Sequence, residues 1–520
     1  MIKNQTFYAF ARTGEASISG KDINFPVLLE AGTDLKSEFD SYQILNEACE
    51  ARKIQVNGKI IKIWESENFF VVNEIPDFIL RSRLAVKHIM EIKRELGYGK
   101  LLYVPGISDP YLIPSLLLMG IDVFDDINAR IESTKGIKYT MFGRVSDSRM
   151  EITDNTSFIR NEMSLLSRSI LDGTLFNVVE HFTISPKNSE IIRHLEGQHY
   201  ESFEKNFPRY TPKVLAGGID SLYRPDVKRF NEFISDHYQK PNDAQIALFI
   251  PCSARKPYSR SQSHRRLNEA IRPFRNEIQE VILTSPVALV PRDLEDAYPP
   301  RFYDIPVTGR WYEEERRHIR EVLFNFLKNN HFKNIIFFLP EDMKFVKEFE
   351  VEGSTFITWK KGENTEFQEL MDLLNEKIEQ TKSRRDFIKE KMISIASYQF
   401  GNWIRRHLQE MRVTRMFNQF MLTLNGKPYF IFNEDAGKLT IHRDAASIFL
   451  EEGKFLVEID DFKPTSNIYA MGIRECSPEV RSGDEVVVHH NGEVRGVGIA
   501  RMSSEQMIKN ERGTAVRMRN

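Results

Sequence analysis

The sequence predicts a multidomain protein of mixed α/β and α+β class. A parallel-sheet α/β core lies in the middle, with a mixed region before it, a small α+β unit after it and a strand-rich barrel at the C-terminal end. Three observations carry this reading. The 520 residues exceed what one hydrophobic core organises, so three or four domains of roughly 70–200 residues are expected. Between residues 226 and 380 short apolar runs alternate with amphipathic ones, as in strands covered by helices. Beyond residue 447, strand-like runs follow at short spacing with Gly-Asp and Asn-Gly turns between them. Breaks in pattern set the boundaries at 1–225, 226–380, 381–447 and 448–520.

In the first region Asn57-Gly58 separates IQV from KIIKIW, a hairpin signal. Residues 101–126, LLYVPGISDPYLIPSLLLMGIDVFDD, read as strand, Gly/Pro loop, buried helix and a short strand ending at Asp125-Asp126. In the core, strands are expected at 245–251, 280–285, 334–340 and 354–359, and helices near 262–277, 313–330 and 341–350. Residues 367–395 read as one long, charged connecting helix. SYQFGNWIRRHL then reads as the start of a helix and LNGKPYFIFN as a hairpin. KFLVEID, NIYAMGI, DEVVVHH, EVRGVGIARM and TAVRMR supply the strands of the C-terminal barrel.

Composition excludes several classes. Apolar content of 41% and charged content of 28% describe an ordinary globular chain, and a net charge of −2 leaves any nucleic-acid contact to local patches. The three cysteines, Cys49, Cys252 and Cys476, are too far apart for a disulfide framework or a paired-cysteine zinc site. No signal peptide and no membrane span are expected, which places the protein in the cytoplasm. There is no phosphate-loop motif and no G-x-G-x-x-G after a strand. The histidines do not stand at ligand spacing. Neither a cofactor nor a metal is expected.

Ligands of parallel α/β sheets bind beyond the carboxyl ends of the strands, and two unusual runs stand there. The first is Pro251 to His264, PCSARKPYSRSQSH. Between Pro251 and Arg275 it and its continuation hold seven basic residues against one acid, Glu269. Arg255, Arg260 and Arg265 suit phosphates. Ser253, Lys256 and Ser261 offer donors, and Tyr258 offers a stacking face. Cys252 and His264 have the chemistry of a nucleophile and its proton partner. The same residue types also suit a plain basic loop with a packed cysteine. The second run, from Thr284, Ser285 and Pro286 to Trp311, is long and proline-punctuated, as functional loops often are. Within it Asp304 has the acceptors to recognise a guanine-like base, or merely to cap a turn. In the C-terminal barrel, Arg495, Arg501, Arg512, Arg517 and Arg519 form a basic set suited to RNA.

PCS-x2-KPY-x2-S-x2-H resembles the signature of the archaeosine synthase family, archaeal relatives of tRNA-guanine transglycosylase. VPGISDPYLIPSLLLMGIDVFDD resembles the family's transglycosylase-like N-terminal half, LVPRDLEDAYPPRFYDIPVTGRW its second core signature, and RSGDEVVV, VRGVGIARMSSEQM and ERGTAVRMR a PUA domain. The resemblance implies a partial-barrel N-terminal region, a uracil-DNA-glycosylase-like core and a C-terminal PUA β-barrel that binds RNA. It also implies the substrate, tRNA carrying 7-cyano-7-deazaguanine in its D-arm. The same resemblance implies the reaction, in which free lysine adds its side-chain amine to the nitrile and a radical-SAM partner cleaves the adduct. True base exchange would need a cysteine-rich zinc site and a nucleophilic aspartate in a complete barrel. Here Asp122, Asp125 and Asp126 would be its remnants. Two routes to the adduct stay open: attack by Cys252 followed by displacement, or direct attack by lysine with His264 or Asp304 moving protons and Ser253 or Ser285 polarising the nitrile. A non-catalytic tRNA-binding subunit, and either a monomer or a homodimer, also remain compatible with the sequence.

Overall fold

The structure is a computed structural model and describes residues 2–18, 21–30, 50–56, 58–72, 82–182, 185–306, 310–360, 366–378 and 384–519. Cys49 and Asn57 lie outside these residues. The chain forms two compact units: Met1–Pro212 together with Gly453–Asn520, and Lys213–Glu452 between them.

The first unit holds a six-stranded mixed sheet. Its parallel part runs through Val27–Leu29, Val123–Asp125, Leu101–Tyr103 and Phe69–Val71. An antiparallel hairpin of Glu50–Val56 and Lys59–Glu65 extends it, with Val56 opposite Lys59 and Gly58 at φ +74°. The wholly buried helix Ile113–Leu118 joins two of the parallel strands.

Arg12 pins this unit from inside. Completely buried, it donates from Nε and Nη2 to the two carboxylate oxygens of Asp122 at 2.9 and 2.8 Å. It also donates to Gln5 and to the carbonyls of Tyr98 and Lys100. Lys93 Nζ stands 3.8 Å from the same carboxylate and donates to the Gly120 carbonyl at 3.1 Å. Gly120 itself has φ +93°, and a Cβ there would come within 2.9 Å of the Phe10 carbonyl. Asp125 and Asp126 are likewise buried and engaged, by Gly106 N–H and by Arg130 and Thr156 respectively.

The C-terminal segment belongs to this unit, held by Arg209 on Asp484, Arg481 on Glu204, and Gln506 Nε2 on the Ala9 carbonyl. Its six strands form a sheet in the order Asn467–Tyr469, Thr514–Arg519, Glu493–Ala500, Glu485–His490, Leu456–Ile459, Ile473–Cys476. Where the sequence predicts a barrel, the sheet curls into a half-barrel.

The second unit is built on a five-stranded sheet ordered Leu289–Pro291, Ile278–Leu283, Ile246–Pro251, Asn334–Pro340, Ser354–Trp359. All but Leu289–Pro291 run parallel. Two of the three inner strands, IALFIP and IQEVIL, are buried almost throughout because both faces are covered. Helices Gln262–Ala270 and Glu313–Asn329 follow the strands.

Four local expectations are corrected. The helix from Gln262 stops at Ala270, and a 3-10 turn containing Pro273 replaces its second half. Residues 341–349 form 3-10 turns rather than an α-helix. The long connecting helix is two helices, Glu366–Lys377 and Phe387–Phe400. The second starts where the Asp386 carboxylate accepts from the Lys389 N–H. It ends at Gly401, φ +99°, so SYQF closes a helix instead of opening one. Asn425-Gly426, both at positive φ, turn the hairpin of Gln419–Leu424 and Lys427–Asn433. No described helix is long and apolar enough to cross a membrane.

Asp122→Asn leaves the Arg12 guanidinium uncompensated and is expected to cost about 3–5 kcal/mol of stability, read as a lower urea midpoint with the slope retained. Burial lowers the Lys93 ammonium to about 7 against the pull of Asp122. Between that value and its ordinary one near 10.5, the unfolded chain holds a proton that the folded one releases, so this term adds stability as pH rises. Wild type should therefore gain on Lys93→Met between pH 7 and 9.5. Parallel urea midpoints across that range would exclude this role.

Candidate active site

The central strand Ile246–Pro251 delivers Cys252 to the carboxyl edge of the parallel sheet. There a cavity of about 560 Å³ opens, within the range of small-molecule sites. Cys252, Ser253 and Lys256 line it from the first loop, Thr284 and Ser285 from the second, and Asp304 from the residues beyond. His264 and Arg266 reach it from helix Gln262–Ala270.

A chain of hydroxyls backs the cysteine. The Thr284 side chain hydrogen-bonds the Cys252 thiol. Thr284 Oγ1 lies 2.5 Å from Tyr303 Oη, and Tyr303 Oη lies 2.7 Å from Tyr258 Oη. Both phenols are buried, and burial pushes both well above the ordinary tyrosine range, so they remain neutral donors. Cys252 is open to the cavity, yet enough protein surrounds the sulfur for desolvation to raise its pKa, outweighing the Thr284 hydrogen bond and the Lys256 charge. It rests as a thiol. Lys256 Nζ stacks 3.8 Å from the centre of the Tyr303 ring. Desolvation lowers its pKa despite the opposing pull of Asp304 and Cys252.

His264, expected as the proton partner of Cys252, has both ring nitrogens engaged. Arg292 Nη2 meets its Nδ1 at 2.8 Å, and the ring hydrogen-bonds the backbone of Pro251. Burial, then the Arg292 charge, lowers it to about 3, so it stays neutral. Arg292 also binds Glu280 through Nε at 3.0 Å and Glu295 through Nη1 at 2.8 Å, and Glu295 accepts from the Ser259 N–H at 2.9 Å.

The remaining candidates are spread out. Ser261 caps the helix, its Oγ accepting from the His264 N–H. The Pro286 carbonyl accepts from Asn231. Arg260 pairs with Glu434 at 2.7 Å, while Arg255 and Arg265 are exposed. Asp304 stands 3.4 Å from Lys213 and is largely exposed. In the C-terminal sheet Arg495 pairs with Asp461 and Arg519 with Glu485, whereas Arg501 and Arg517 line a separate cavity and Arg512 is exposed. Among the described residues no His/Cys/Asp/Glu group has the arrangement of a metal site.

Sequence reasoning missed the apolar wall of the cavity. Trp311, Phe338, Met343, Trp359 and Phe367 line it from four separate stretches of chain. Phe338 lies 5.7 Å from Trp359 and 5.8 Å from Phe367, ring centre to ring centre. The Trp359 Nε1 donor is buried without a partner. Trp311, the end of the second singled-out run, and Trp359, the last residue of a predicted strand, each carried a hint of this position.

Comparison with known proteins agrees with the signatures. A family described as "Domain of unknown function (DUF5591)" matches residues 227–378, and the PUA domain matches residues 462–520. The chain is 39% identical over 520 residues to the archaeosine synthase subunit alpha of Thermoplasma acidophilum, covering all of both chains. It is 29% identical to that of Methanosarcina acetivorans, over 84% of this chain and 77% of the relative. To the archaeosine synthase of Methanocaldococcus jannaschii it is 30% identical, over 93% and 84%. The full-length identity, with the PCS loop at the mouth of the cavity and a PUA domain at the C-terminal end, makes this chain a member of the archaeosine synthase family.

Proposed function

We propose that this chain is a tRNA-modifying transferase of archaeosine biosynthesis. It adds the side-chain amine of free lysine to the nitrile of 7-cyano-7-deazaguanine in the D-arm of tRNA, and a radical-SAM partner then cleaves the amidine-linked adduct. The observation that carries the reading is the placement of Cys252 in an aromatic-walled cavity beside a desolvated lysine and a chain of neutral hydroxyl donors. The C-terminal PUA domain, an RNA-binding module, supports it; within this reading the core serves as a uracil-DNA-glycosylase-like pocket for a base and the N-terminal region as its transglycosylase-like companion. The cytoplasm is where tRNA and free lysine meet.

The aromatic wall takes the deazaguanine ring, and Trp359 Nε1 offers it a hydrogen bond. Cys252 adds to the nitrile carbon: a C–S bond forms and one C–N π bond breaks. Lys256 gives a proton to the nitrile nitrogen and recovers one from the thiol. Thr284, held by Tyr303 and Tyr258, keeps the sulfur aimed. The lysine amine then attacks the thioimidate carbon. The C–S bond breaks, and the departing sulfur takes back a proton from the attacking nitrogen. Nitrile and amine sum to the amidine with no other atom lost, so no nucleotide is consumed. His264 moves no proton in this scheme. It fixes the loop through Arg292 and the Pro251 backbone. Asp304, exposed beside Lys213, suits the edge of the base or the incoming amine.

Incubation with cyano-deazaguanine tRNA and lysine, followed by mass analysis of the digested nucleosides, is expected to show an increase equal to lysine. No increase points to a tRNA-presenting subunit, and release of a free base points to transglycosylase exchange. Cys252→Ala should abolish turnover while retaining tRNA affinity. An active variant would instead support direct attack by lysine, with Ser253 or Ser285 polarising the nitrile. Lys256→Met should lower kcat by about 10²–10⁴-fold, the usual contribution of a positioned acid, with the cavity intact by binding of the substrate tRNA. A kcat within a few-fold of wild type would remove Lys256 from the proton path.

A further inference from the structure

A neighbouring cavity of about 620 Å³ shares Trp359 with the candidate active site. The 3-10 turns of residues 341–349 bring Glu341, Lys344, Lys347 and Glu348 to it, and the end of strand Ser354–Trp359 brings Trp359 and Lys360. Asp342, next in the chain to Glu341, lines the active-site cavity instead. One short stretch thus serves both cavities.

Strand register carries Asp342 towards the thiol. The central strand has Pro251 opposite Leu283 on one side and Phe249 opposite Phe337 on the other. Chain leaving those two neighbours therefore flanks Cys252, with Thr284 on one side and Asp342 on the other. Thr284 hydrogen-bonds the thiol, and the Asp342 charge adds to the burial that raises its pKa. The cavity's two other carboxylates are placed for other work. Glu315 accepts from the Tyr312 N–H at 2.9 Å, and Asp304 stands 3.4 Å from Lys213 and acts on Lys256.

The neighbouring cavity is charged in both signs. Among the described residues, its three lysines and two glutamates enter no ion pair. Opposite charges that share a cavity without neutralising one another suit a ligand that brings both signs itself. A phosphate would meet the lysines and be repelled by the glutamates. The head of an α-amino acid presents a carboxylate to the first and an ammonium to the second.

We propose that the amine donor lies across the Trp359 rim between the two cavities. Its α-carboxylate meets Lys344, Lys347 and Lys360, its α-ammonium meets Glu341 and Glu348, and its side-chain ammonium meets Asp342 beside Cys252. The inference rests on the reading of lysine as donor and adds how lysine is chosen: an amino-acid head and a terminal amine on a flexible four-carbon stem. The side-chain ammonium, with a pKa of about 10.4 in water, must lose a proton before it attacks. Asp342 accepts that proton and passes it to the thioimidate nitrogen. The neutral amine then forms the new C–N bond, the C–S bond breaks, and the sulfur takes a second proton from the attacking nitrogen. Amidinium and thiol result, and the donor's positive charge is conserved.

The test is transfer to cyano-deazaguanine tRNA by the full chain, with lysine and tRNA varied separately. The three lysines are exposed, so Lys344→Gln/Lys347→Gln/Lys360→Gln should fold. It should raise the KM for lysine by about tenfold or more, the worth of a lost charged contact. That penalty should vanish with cadaverine, which lacks the carboxylate. Asp342→Asn should lower kcat/KM for lysine by about 10²-fold or more, with the KM for tRNA retained and most activity recovered in Asp342→Glu. A triple variant with wild-type KM for lysine overturns the proposal. So does an equal loss with cadaverine, or a rise in the KM for tRNA alone, which would mark the lysines as phosphate contacts. Asp342→Asn with wild-type kcat/KM overturns its proton step. If wild type forms no lysine adduct, the proposed reaction fails, and calorimetry with lysine alone decides the site. Heat with wild type but not with the triple variant keeps the site, and no difference between them removes it.

Discussion

The candidate site depends on one guanidinium. Arg292 is held in a buried position by Glu280 and Glu295, and it holds His264 in turn. Burying a cation is costly unless carboxylates compensate it. Here two carboxylates do, and they prevail over desolvation, keeping Arg292 firmly charged. The arrangement ties together parts of the chain that must be adjacent for any chemistry at Cys252. Glu280 comes from the second core strand and Glu295 from the turn after the antiparallel edge strand. Through His264 the guanidinium reaches the Pro251 backbone next to Cys252, and through Glu295 it reaches the backbone of Ser259. The PCS loop, which has little regular structure of its own, thus takes its shape from ion pairs behind it. This also explains why an invitingly placed histidine is a poor base: burial keeps His264 neutral, and the charge that orders the loop adds to that effect.

A cavity built this way leaves few groups free to react. The two tyrosines are fixed as neutral donors, and the histidine is consumed by structure. What remains at the surface of the cavity is a thiol that rests protonated and a lysine whose charge is made unfavourable by burial. In the proposed reaction the two act together. A lysine that gives up its proton readily is a serviceable acid, and a thiol beside it has somewhere to send its own. A nitrile is electrophilic enough to need only such mild activation, with hydrogen bonds stabilising the charge that develops on nitrogen. The aromatic wall gives the cavity an apolar side, where electrostatic interactions are stronger than in water.

Much of this was legible in the sequence, and the boundary is instructive. The four parallel strands announced themselves as short apolar runs, and their carboxyl ends located the cavity. Ser261 before a helical run was readable as a helix cap, yet its place inside a serine-rich basic loop made it look like a ligand contact. Arg260 looked like a phosphate-binding residue because Glu434, its partner, is 174 positions away. The helix ending at Phe400 was misread because SYQF has good helical character on either reading. Only Gly401 distinguishes an end from a start. The aromatic wall was invisible for a deeper reason. Trp311, Phe338, Trp359 and Phe367 are separated by loops and strands, and a tryptophan at a strand end has the same local pattern whether it faces a core or a cavity.

The same distinction between paired and unpaired charge resolves how a chain with a net charge of −2 can engage a polyanion. Counting basic residues treats Arg495, Arg501, Arg517 and Arg519 as equals, but two of them are neutralised by neighbouring carboxylates. An arginine in an ion pair must break that pair to meet a phosphate, which offsets most of what the new contact provides. An unpaired one releases only solvent and counterions. The cations that folding leaves uncompensated are therefore those best able to meet a phosphate, and their positions follow from strand register rather than from composition. Alternation along Thr514–Arg519 puts Arg517 and Arg519 on the same face, and the acid at Glu485 decides which of the two is available.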